Sequence, residues 1–402
     1  MIQQSSSVKM ARLLFLLIIL VAVGQMTQTM YVPAIPEMAA AFATKSAYLQ
    51  AVMAAYLIPY GLSQFIYGPI SDKIGRRPVT IAGMSIFLAG TVLALFSSSF
   101  ELFLAASFIQ GCGTGCSGAM SRTVTRDCYE GAELHKANSL ISMGVIFSPL
   151  IAPVLGGYLS THMGWKASYG FLLIFGAFVT IAMMAWFSET LPVEKRRTDS
   201  AMASYRYVLS NRQFQGYVLC LIATFAGIAA FEAAAGVLLG SVLKLDPTTV
   251  SWLFIVPLPG YLMGAWCSSM LVGRIGNRRV LYIGMEALAL GAVTILIPGI
   301  EGLVTVTSLI GGAFIYFFGA GILFPSATTA AIEPFPNHAG TAGAVLGGLQ
   351  NLGAGIATLA ASFMRASDQF SLGSVLSVMA IIVIVSLFLV RRSQHHSPVM
   401  AS

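Results

Sequence analysis

The sequence predicts an all-α polytopic membrane protein with twelve membrane-spanning helices arranged as two pseudo-symmetric six-helix bundles. Of its 402 residues, 57% are hydrophobic and only 9% are charged, which is not the composition of a soluble globular domain. Cutting the chain at its charges leaves twelve apolar stretches, each about long enough to cross a bilayer as a helix. A charged motif at 72–77 also recurs in altered form at 273–278, which indicates an internal duplication.

The predicted spans fall into two groups of six around one polar segment. The first group covers 13–36, 46–71, 78–100, 102–121, 137–165 and 167–188. The segment 189–212 is the only long charge-rich stretch, and it predicts a cytoplasmic linker between an N-terminal bundle at 1–188 and a C-terminal bundle at 213–402. The second group covers 213–240, 248–272, 280–298, 302–330, 338–364 and 370–390.

The basic residues are distributed unevenly across the predicted membrane. Of 22 lysines and arginines, only Lys45, Lys166, Lys244 and Arg365 fall on the side opposite both termini. The positive-inside rule therefore predicts that both termini are cytoplasmic. The net charge of +7 does not indicate nucleic acid as a partner, because the basic residues are scattered between apolar runs and form no stripe.

The charged turn between spans two and three follows the pattern G-x-x-x-D-[RK]-x-G-R-[RK]. Gly75 allows a tight turn, Asp72 can pair with a basic residue, and Arg76 and Arg77 supply cationic hydrogen-bond donors. The pattern resembles the loop between helices 2 and 3 of major facilitator transporters, which implies a gate that latches two bundles together. The alternative is that its basic residues only anchor the topology. The predicted gating loop comprises Gly68, Asp72, Lys73, Gly75, Arg76 and Arg77, together with Arg122 and Arg126 after span four.

The same resemblance implies the architecture of this superfamily. Two six-helix bundles enclose a substrate cavity at their interface near the membrane midplane. In the second copy of the motif, Gly273 stands where the first copy has Asp72. The latch is therefore expected to be stronger on the N-terminal half.

Span five carries the segment Ser148–Gly157, which resembles the helix-5 signature of the drug:proton antiporter branch. Pro149 and Pro153 are expected to bend the helix, while Gly156 and Gly157 are expected to present a smooth surface to the partner half. The alternative is a kinked packing helix without a special role.

Span one ends in the pattern Y-x-P-A-x-P at Tyr31–Pro36, which resembles the first helix of bicyclomycin-resistance-type multidrug exporters in the twelve-helix branch. Many members carry an acid where this chain has Thr29. The branch's R-x-x-Q-G pattern in span four begins here with Ser107, so the arginine expected for proton relay is absent. The proton-binding carboxylate must then lie elsewhere.

A stripe of polar and aromatic side chains runs along one face of span two. Tyr56, Tyr60, Gln64 and Tyr67 recur at helical spacing and share one face, and aromatic faces with polar tips suit amphipathic molecules. The alternative is packing between helices. The predicted substrate cavity comprises Gln25, Gln28, Thr29, Tyr31, Tyr56, Tyr60, Gln64 and Glu232.

Two acids lie inside apolar spans of the second half. Glu232 has no basic residue within ten positions, and a charge there is costly unless it faces water or a partner. Glu232 is therefore the first candidate for proton coupling, with a structural hydrogen bond as the alternative. Glu286 is the second candidate, with a side chain reaching toward the membrane surface as the alternative.

The resemblance to drug:proton antiporters implies a monomeric secondary active multidrug exporter in the lipid bilayer of a bacterial cytoplasmic (inner) membrane, exchanging hydrophobic or amphipathic toxic compounds for protons. We expect no enzymatic activity, cofactor or metal site, since the five cysteines form no C-x-x-C pair and no nucleotide-binding loop occurs. The first alternative is an exporter of one metabolite, such as a sugar or nucleoside. A non-transporting receptor or scaffold is the second alternative, but it would need a soluble domain for which the polar segments are too short.

Overall fold

A computed structural model describes residues 2–129, 131–196, 201–335, 339–364 and 368–395, and all regular elements in these ranges are helical. Its internal contacts divide the chain into two compact units. The first unit comprises 1–44 and 55–200, and the second comprises 45–54 and 201–402.

The first unit is built on seven α-helices, most of them long. Gly75 separates α3 from α4 with a φ of 108°, a conformation that side chains other than glycine rarely adopt. Ser99 caps α5 by accepting a hydrogen bond from the backbone N–H of Leu102 at 3.2 Å. The helices are α1 Ile2–Thr29, α2 Ile35–Ala41, α3 Gln50–Ile74, α4 Arg76–Leu95, α5 Phe100–Cys128, α6 Gly131–Met163 and α7 Lys166–Trp186.

From residue 201 onward, the second unit starts with a short helix that lies inside the predicted linker. Asn211 and Asp246 then cap the next two helices by accepting backbone hydrogen bonds. The helix that Asn211 caps continues as a π-helix over Val237–Val242. The α-helices are α8 Ala201–Ser210, α9 Arg212–Gly236, α10 Pro247–Ile255, α11 Pro257–Ile275, α12 Asn277–Ile300, α13 Val306–Ile332, α14 Ala339–Ser362 and α15 Gln369–His395.

Each of the twelve predicted spans coincides with a helix or a consecutive pair of helices. In the described part of the chain, ten of these stretches are long and apolar enough to cross a membrane. The other two predicted spans correspond to α5, which is rich in glycine and serine, and to α6. Residues 45–54, which sequence analysis assigned to the N-terminal bundle, group with the second unit. Part of the predicted linker, 197–200, lies outside the described residues.

The internal repeat is also present in helix packing. In the first unit, a Cβ atom on Gly113 of α5 would lie 2.7 Å from the carbonyl oxygen of Gly83 in α4. In the second unit, a Cβ atom on Gly319 of α13 would lie 2.6 Å from the carbonyl oxygen of Gly284 in α12. Each unit therefore brings the equivalent two helices into backbone contact at glycines, as small residues allow in membrane bundles.

Candidate functional site

Arg76 is the centre of the charged turn in the first unit. Its side chain is only 3% exposed and donates to Asp72 Oδ1 at 2.5 Å and to Asp127 Oδ2 at 2.9 Å. It also donates to the Ser71 hydroxyl at 2.6 Å. One buried guanidinium thus ties together the end of α3, the start of α4 and the end of α5. A buried charge of this kind is stable only when its hydrogen bonds are satisfied.

The carboxylate of Glu189 caps the start of α4. It accepts hydrogen bonds from the backbone N–H groups of Arg76 at 2.9 Å and Arg77 at 3.2 Å. A Cβ atom on Gly75 would collide with this carboxylate. Gly75 is therefore required both for its positive φ and for the space in which the cap sits. The helix N-terminus, with its free N–H groups, favours such a negative group.

The other basic residues of the predicted gating loop have different surroundings. Arg77 is exposed and donates to the carbonyl oxygen of Met184 near the end of α7 at 2.7 Å. Lys73 and Arg126 are exposed, and Arg122 interacts with Tyr60. A latch between the two halves stays a prediction. Within the first unit the turn instead joins α3, α4, α5 and the end of α7.

Sequence analysis gave no role to Glu189 or Asp127. Glu189 is the first residue of the predicted linker, and Asp127 is the residue after Arg126. Their partners lie 113 and 51 residues away along the chain. The one local signal for these two acids is their position: Asp127 follows span four and Glu189 follows span six, on the same predicted side of the membrane as the charged turn.

We expect Glu189→Gln to lower the stability of the protein at neutral pH. Burial alone would raise the pKa of Glu189, but the backbone N–H groups of Leu191, Arg76, Arg77 and Thr190 together lower it below the ordinary value of 4.5. A lowered pKa contributes stability that is present above the ordinary value and is lost as the pH falls through the lowered one. The loss should be about 1 kcal/mol at pH 7, as for other exposed helix caps, and should vanish in acid.

Thermal unfolding in detergent at several pH values measures this effect. Glu194→Gln is the matched control, because Glu194 is exposed in the same segment and bonds to no residue at the start of α4. A difference in Tm between wild type and Glu189→Gln that stays constant on acidification would contradict the assignment of the cap.

The predicted polar stripe belongs to α3 of the first unit, and its side chains contact α1 and α5. The hydroxyl of Tyr56 donates to the carbonyl oxygen of Gly24 at 2.8 Å and accepts from the hydroxyl of Thr114 at 2.8 Å. Its ring stacks on that of Tyr60 with centroids 5.7 Å apart. Tyr67 donates to the carbonyl oxygen of Cys112 at 2.9 Å. Tyr56 and Tyr67 thus already have partners that hold neighbouring helices together.

Other predicted cavity residues carry polar atoms that are not fully used. Tyr60 interacts with Gln25 and Ser117. The hydroxyl of Thr29 and the side-chain oxygen of Gln64 are buried without a hydrogen-bond partner among the described residues. Buried polar atoms are normally paired, so these two are candidates for contact with a ligand or water. Gln28 and Tyr31, which lie close to Thr29 in the sequence, are also buried.

One glycine of the helix-5 motif is in close contact with a neighbouring segment of its own unit. Pro149 and Pro153 both lie inside α6. A Cβ atom on Gly156 would meet the carbonyl oxygen of Met30 at the end of the first span. Sequence analysis expected Gly156 to form a smooth surface toward the partner half, and that role of Gly156 stays a prediction. Its small size is needed because the two backbones are in contact; the role of Gly157 stays a prediction.

A carboxylate also joins helices at the other end of the first unit. Glu37 of α2 accepts from the hydroxyl of Ser160 in α6 at 2.7 Å and from the backbone N–H of Trp165 at 3.1 Å. Trp165 precedes the first residue of α7. Glu37 therefore caps one helix and holds a second, which gives it a structural role that the sequence pattern did not indicate.

The two candidate proton carriers of the second unit differ in exposure. Glu232 lies in α9 and is only 7% exposed, whereas Glu286 in α12 is exposed. The neighbouring ring of Phe231 packs on Phe254 and Phe317. A π-helix begins at Val237. Such segments are rare in proteins, and those that occur often lie at functional sites. Burial thus favours Glu232 over Glu286 as a carboxyl whose ionisation is controlled by its surroundings.

Comparisons with known proteins point to one family. A family model described as Major Facilitator Superfamily matches residues 17–358 and, in a second match, 217–400. Multidrug resistance protein D of Escherichia coli (strain K12) is 46% identical over 375 residues, which cover 93% of this chain and 94% of that protein. The chloramphenicol resistance protein of Pseudomonas aeruginosa is 27% identical over 330 residues, which cover 80% and 77%.

A solved structure shows the same fold. The crystal structure of a D-xylose-proton symporter matches with a TM-score of 0.77 at 15% identity, covering 94% of this chain and 97% of that chain. The resemblance predicted from the charged turn and from the repeat is therefore confirmed at the level of family and fold.

Proposed function

This chain belongs to the Major Facilitator Superfamily, and on that premise we propose that it is a secondary active multidrug exporter. It removes hydrophobic and amphipathic toxic compounds from the cell in exchange for protons. The observation that carries the proposal is the 46% identity to a multidrug resistance protein over 93% of the chain. The further similarity to a chloramphenicol resistance protein supports the same class of cargo.

The residues inside the spans support apolar or weakly polar cargo. The predicted cavity residues of the first unit are tyrosines, glutamines and a threonine, none of which is charged. Tyrosine rings offer both apolar faces and hydroxyl groups, and the unpaired atoms of Thr29 and Gln64 offer one hydrogen bond each to a bound molecule. The proposed substrate cavity is formed by Gln25, Gln28, Thr29, Tyr31, Tyr56, Tyr60, Gln64 and Glu232.

The coupling ion is a proton, carried by Glu232 with Glu286 as the second candidate. Glu232 is the one acid inside a described span that is almost completely buried. Adding a proton to a buried carboxyl removes its charge, so the side chain can exchange a proton against a cationic or polar cargo molecule. The transporter acts as a monomer and requires no cofactor.

Transport by purified protein in liposomes tests this function. Vesicles with and without an imposed pH gradient are assayed for movement of a panel of amphipathic dyes and of radiolabelled sugars and nucleosides. We expect several dyes to move only when the gradient is present, and a protonophore to stop them. Saturable movement of one sugar or nucleoside with no dye transport would overturn the multidrug proposal in favour of a dedicated metabolite exporter.

We also propose that both termini and the segment 189–212 are cytoplasmic, because the basic residues concentrate on that side. In a variant without native cysteines, Glu194→Cys should be protected from an impermeant maleimide in intact cells, while Lys45→Cys should react. Both positions are exposed. Rapid labelling at 194 in intact cells, with protection at 45, would reverse the proposed orientation.

A further inference from the structure

The second unit contains a polar cavity at one end of its bundle. The cavity has a volume of about 220 Å³ and lies where α9 and α12 begin and where α13 and α15 end. Its lining includes the side chains of Arg278, Arg391, Glu333, Asn277, Tyr217 and Tyr282. None of these residues belongs to the predicted substrate cavity, and the proposed transport cycle does not use them.

The charges around this cavity favour an anion. Two arginines face it and only one acid does, and none of the three forms an ion pair within the described residues. The guanidinium of Arg278 lies 5.9 Å from the ring centroid of Tyr282. Arginine forks are donors that suit the oxygens of a phosphate group. The amide of Asn277 donates one hydrogen bond to the carbonyl oxygen of Ser326 at 3.3 Å and has a second N–H. Among the described residues, the lining of the cavity thus carries more basic than acidic charge.

The equivalent place in the first unit is already filled by an anionic group. There, Gly75 with a φ of 108° and ψ of 160° precedes α4, and the carboxylate of Glu189 accepts from the first two N–H groups of that helix. In the second unit, Gly276 with a φ of 82° and ψ of 150° precedes α12 in nearly the same conformation. Among the described residues no side-chain hydrogen bond caps the start of α12, and a Cβ atom on Gly276 would have nothing within 4 Å.

The residues that begin α12 are Asn277 and Arg278, and both line the cavity. The internal repeat therefore provides a comparison inside one chain. One copy of the helix start holds a carboxylate, and the other opens onto a cavity with two arginines. Where the first copy has Glu189 shortly after α7, the second has Arg391 near the end of α15. The acid that would close the site is thus replaced by a base.

We infer that this cavity binds a phosphate group at the start of α12, between Arg278 and Arg391. The group is either the headgroup of an anionic phospholipid or free phosphate, which share this chemistry. Helix starts with free N–H groups bind phosphate well, and basic pockets between membrane helices bind lipid headgroups. The inference is independent of the proposed cargo and of proton coupling.

Binding to the purified full-length protein in non-ionic detergent tests the inference. Short-chain phosphatidylglycerol, short-chain phosphatidylcholine and inorganic phosphate are titrated separately, and binding is followed by native mass spectrometry and by the rise in Tm. We expect phosphatidylglycerol or phosphate to bind more tightly than phosphatidylcholine. Binding by phosphate alone as well as by the lipid identifies a phosphate site, whereas binding by the lipid only identifies a headgroup site.

The double variant Arg278→Gln/Arg391→Gln should weaken this binding on the order of tenfold for each charge-assisted contact removed. Arg279→Gln is the matched control, because Arg279 is the next residue of α12, is exposed and does not line the cavity. Arg391→Glu places a carboxylate near the position that Glu189 has in the first unit. It should abolish binding without lowering Tm, which separates loss of the site from loss of the fold.

Three results would overturn the inference. The first is wild-type protein that binds neither phosphatidylglycerol nor phosphate more tightly than phosphatidylcholine. The second is unchanged binding by the double variant and by Arg391→Glu. The third is an equal loss of binding in Arg279→Gln, since this would indicate a general effect of surface charge.

Discussion

Asp72→Asn is expected to reduce the transport rate on the order of tenfold or more, while the affinity for cargo in detergent stays close to that of wild type. The substitution keeps the shape of the side chain but removes its charge. Arg76, which is 3% exposed, then keeps Asp127 as its only ionic partner. The amide oxygen of asparagine is a neutral acceptor, so the contribution of this hydrogen bond falls from the roughly 1.5–3 kcal/mol typical of charged groups to about 1 kcal/mol, which weakens the connection between α3 and α4. Transport in repeat-built carriers requires one repeat to move against the other as a rigid body.

Lys73→Gln is the matched control for Asp72→Asn. Lys73 is the neighbouring residue of the same turn, carries a charge and is exposed, so its loss should leave the transport rate almost unchanged. Proteoliposome uptake gives the rate, and equilibrium binding of a fluorescent cargo gives the affinity. Full transport by Asp72→Asn, or an equal loss in Lys73→Gln, would show that the Asp72–Arg76 pair has no role in the transport cycle.

The second large effect is expected at Glu232. Glu232→Gln should abolish transport driven by a pH gradient and preserve the binding of neutral cargo. Glutamine has the shape of the protonated side chain but cannot release a proton. The side chain is 7% exposed inside α9, where a charge is costly to bury, so loading and release of a proton changes its interactions strongly. A carrier locked in the neutral state cannot couple cargo movement to protons.

Proton release on addition of a cationic drug to detergent-solubilised protein measures the coupling directly. Wild type should release protons and Glu232→Gln should not. Glu286→Gln is the matched control, because Glu286 is also an acid within a span but is exposed. If Glu232→Gln releases protons normally while Glu286→Gln does not, the coupling site lies on α12.

The helical spans could be predicted from the sequence because each depends on a local property of the chain. A run of about 20 apolar residues must form a helix in a bilayer, where every backbone hydrogen bond has to be satisfied within the segment. The charged turn at 68–77 could be predicted for the same reason, since its charges cannot enter hydrocarbon. The duplication was also visible, because the charged motif at 72–77 recurs in altered form at 273–278.

The partners of the charged turn could not be predicted in this way. The pair formed by Asp72 and Arg76 joins residues four positions apart, so the local motif already contains it. Asp127 and Glu189 reach the same turn only because α5 and the end of α7 are packed beside it in the folded unit. Spacing in the sequence carries no information on which of several acids near the predicted membrane surface will lie there.

Hydropathy and short motifs were enough to predict the fold class, the spans and the family, since they report conditions that hold along a few turns of helix. The contacts of individual side chains became visible only in the folded protein. The tertiary structure placed Gly156 against Met30 and gave Tyr56 a hydrogen bond to Gly24. It buried Glu232 and exposed Glu286. The physical reason is that burial and hydrogen bonding in a helical bundle depend on which helix faces meet, and each such contact joins residues far apart in the chain.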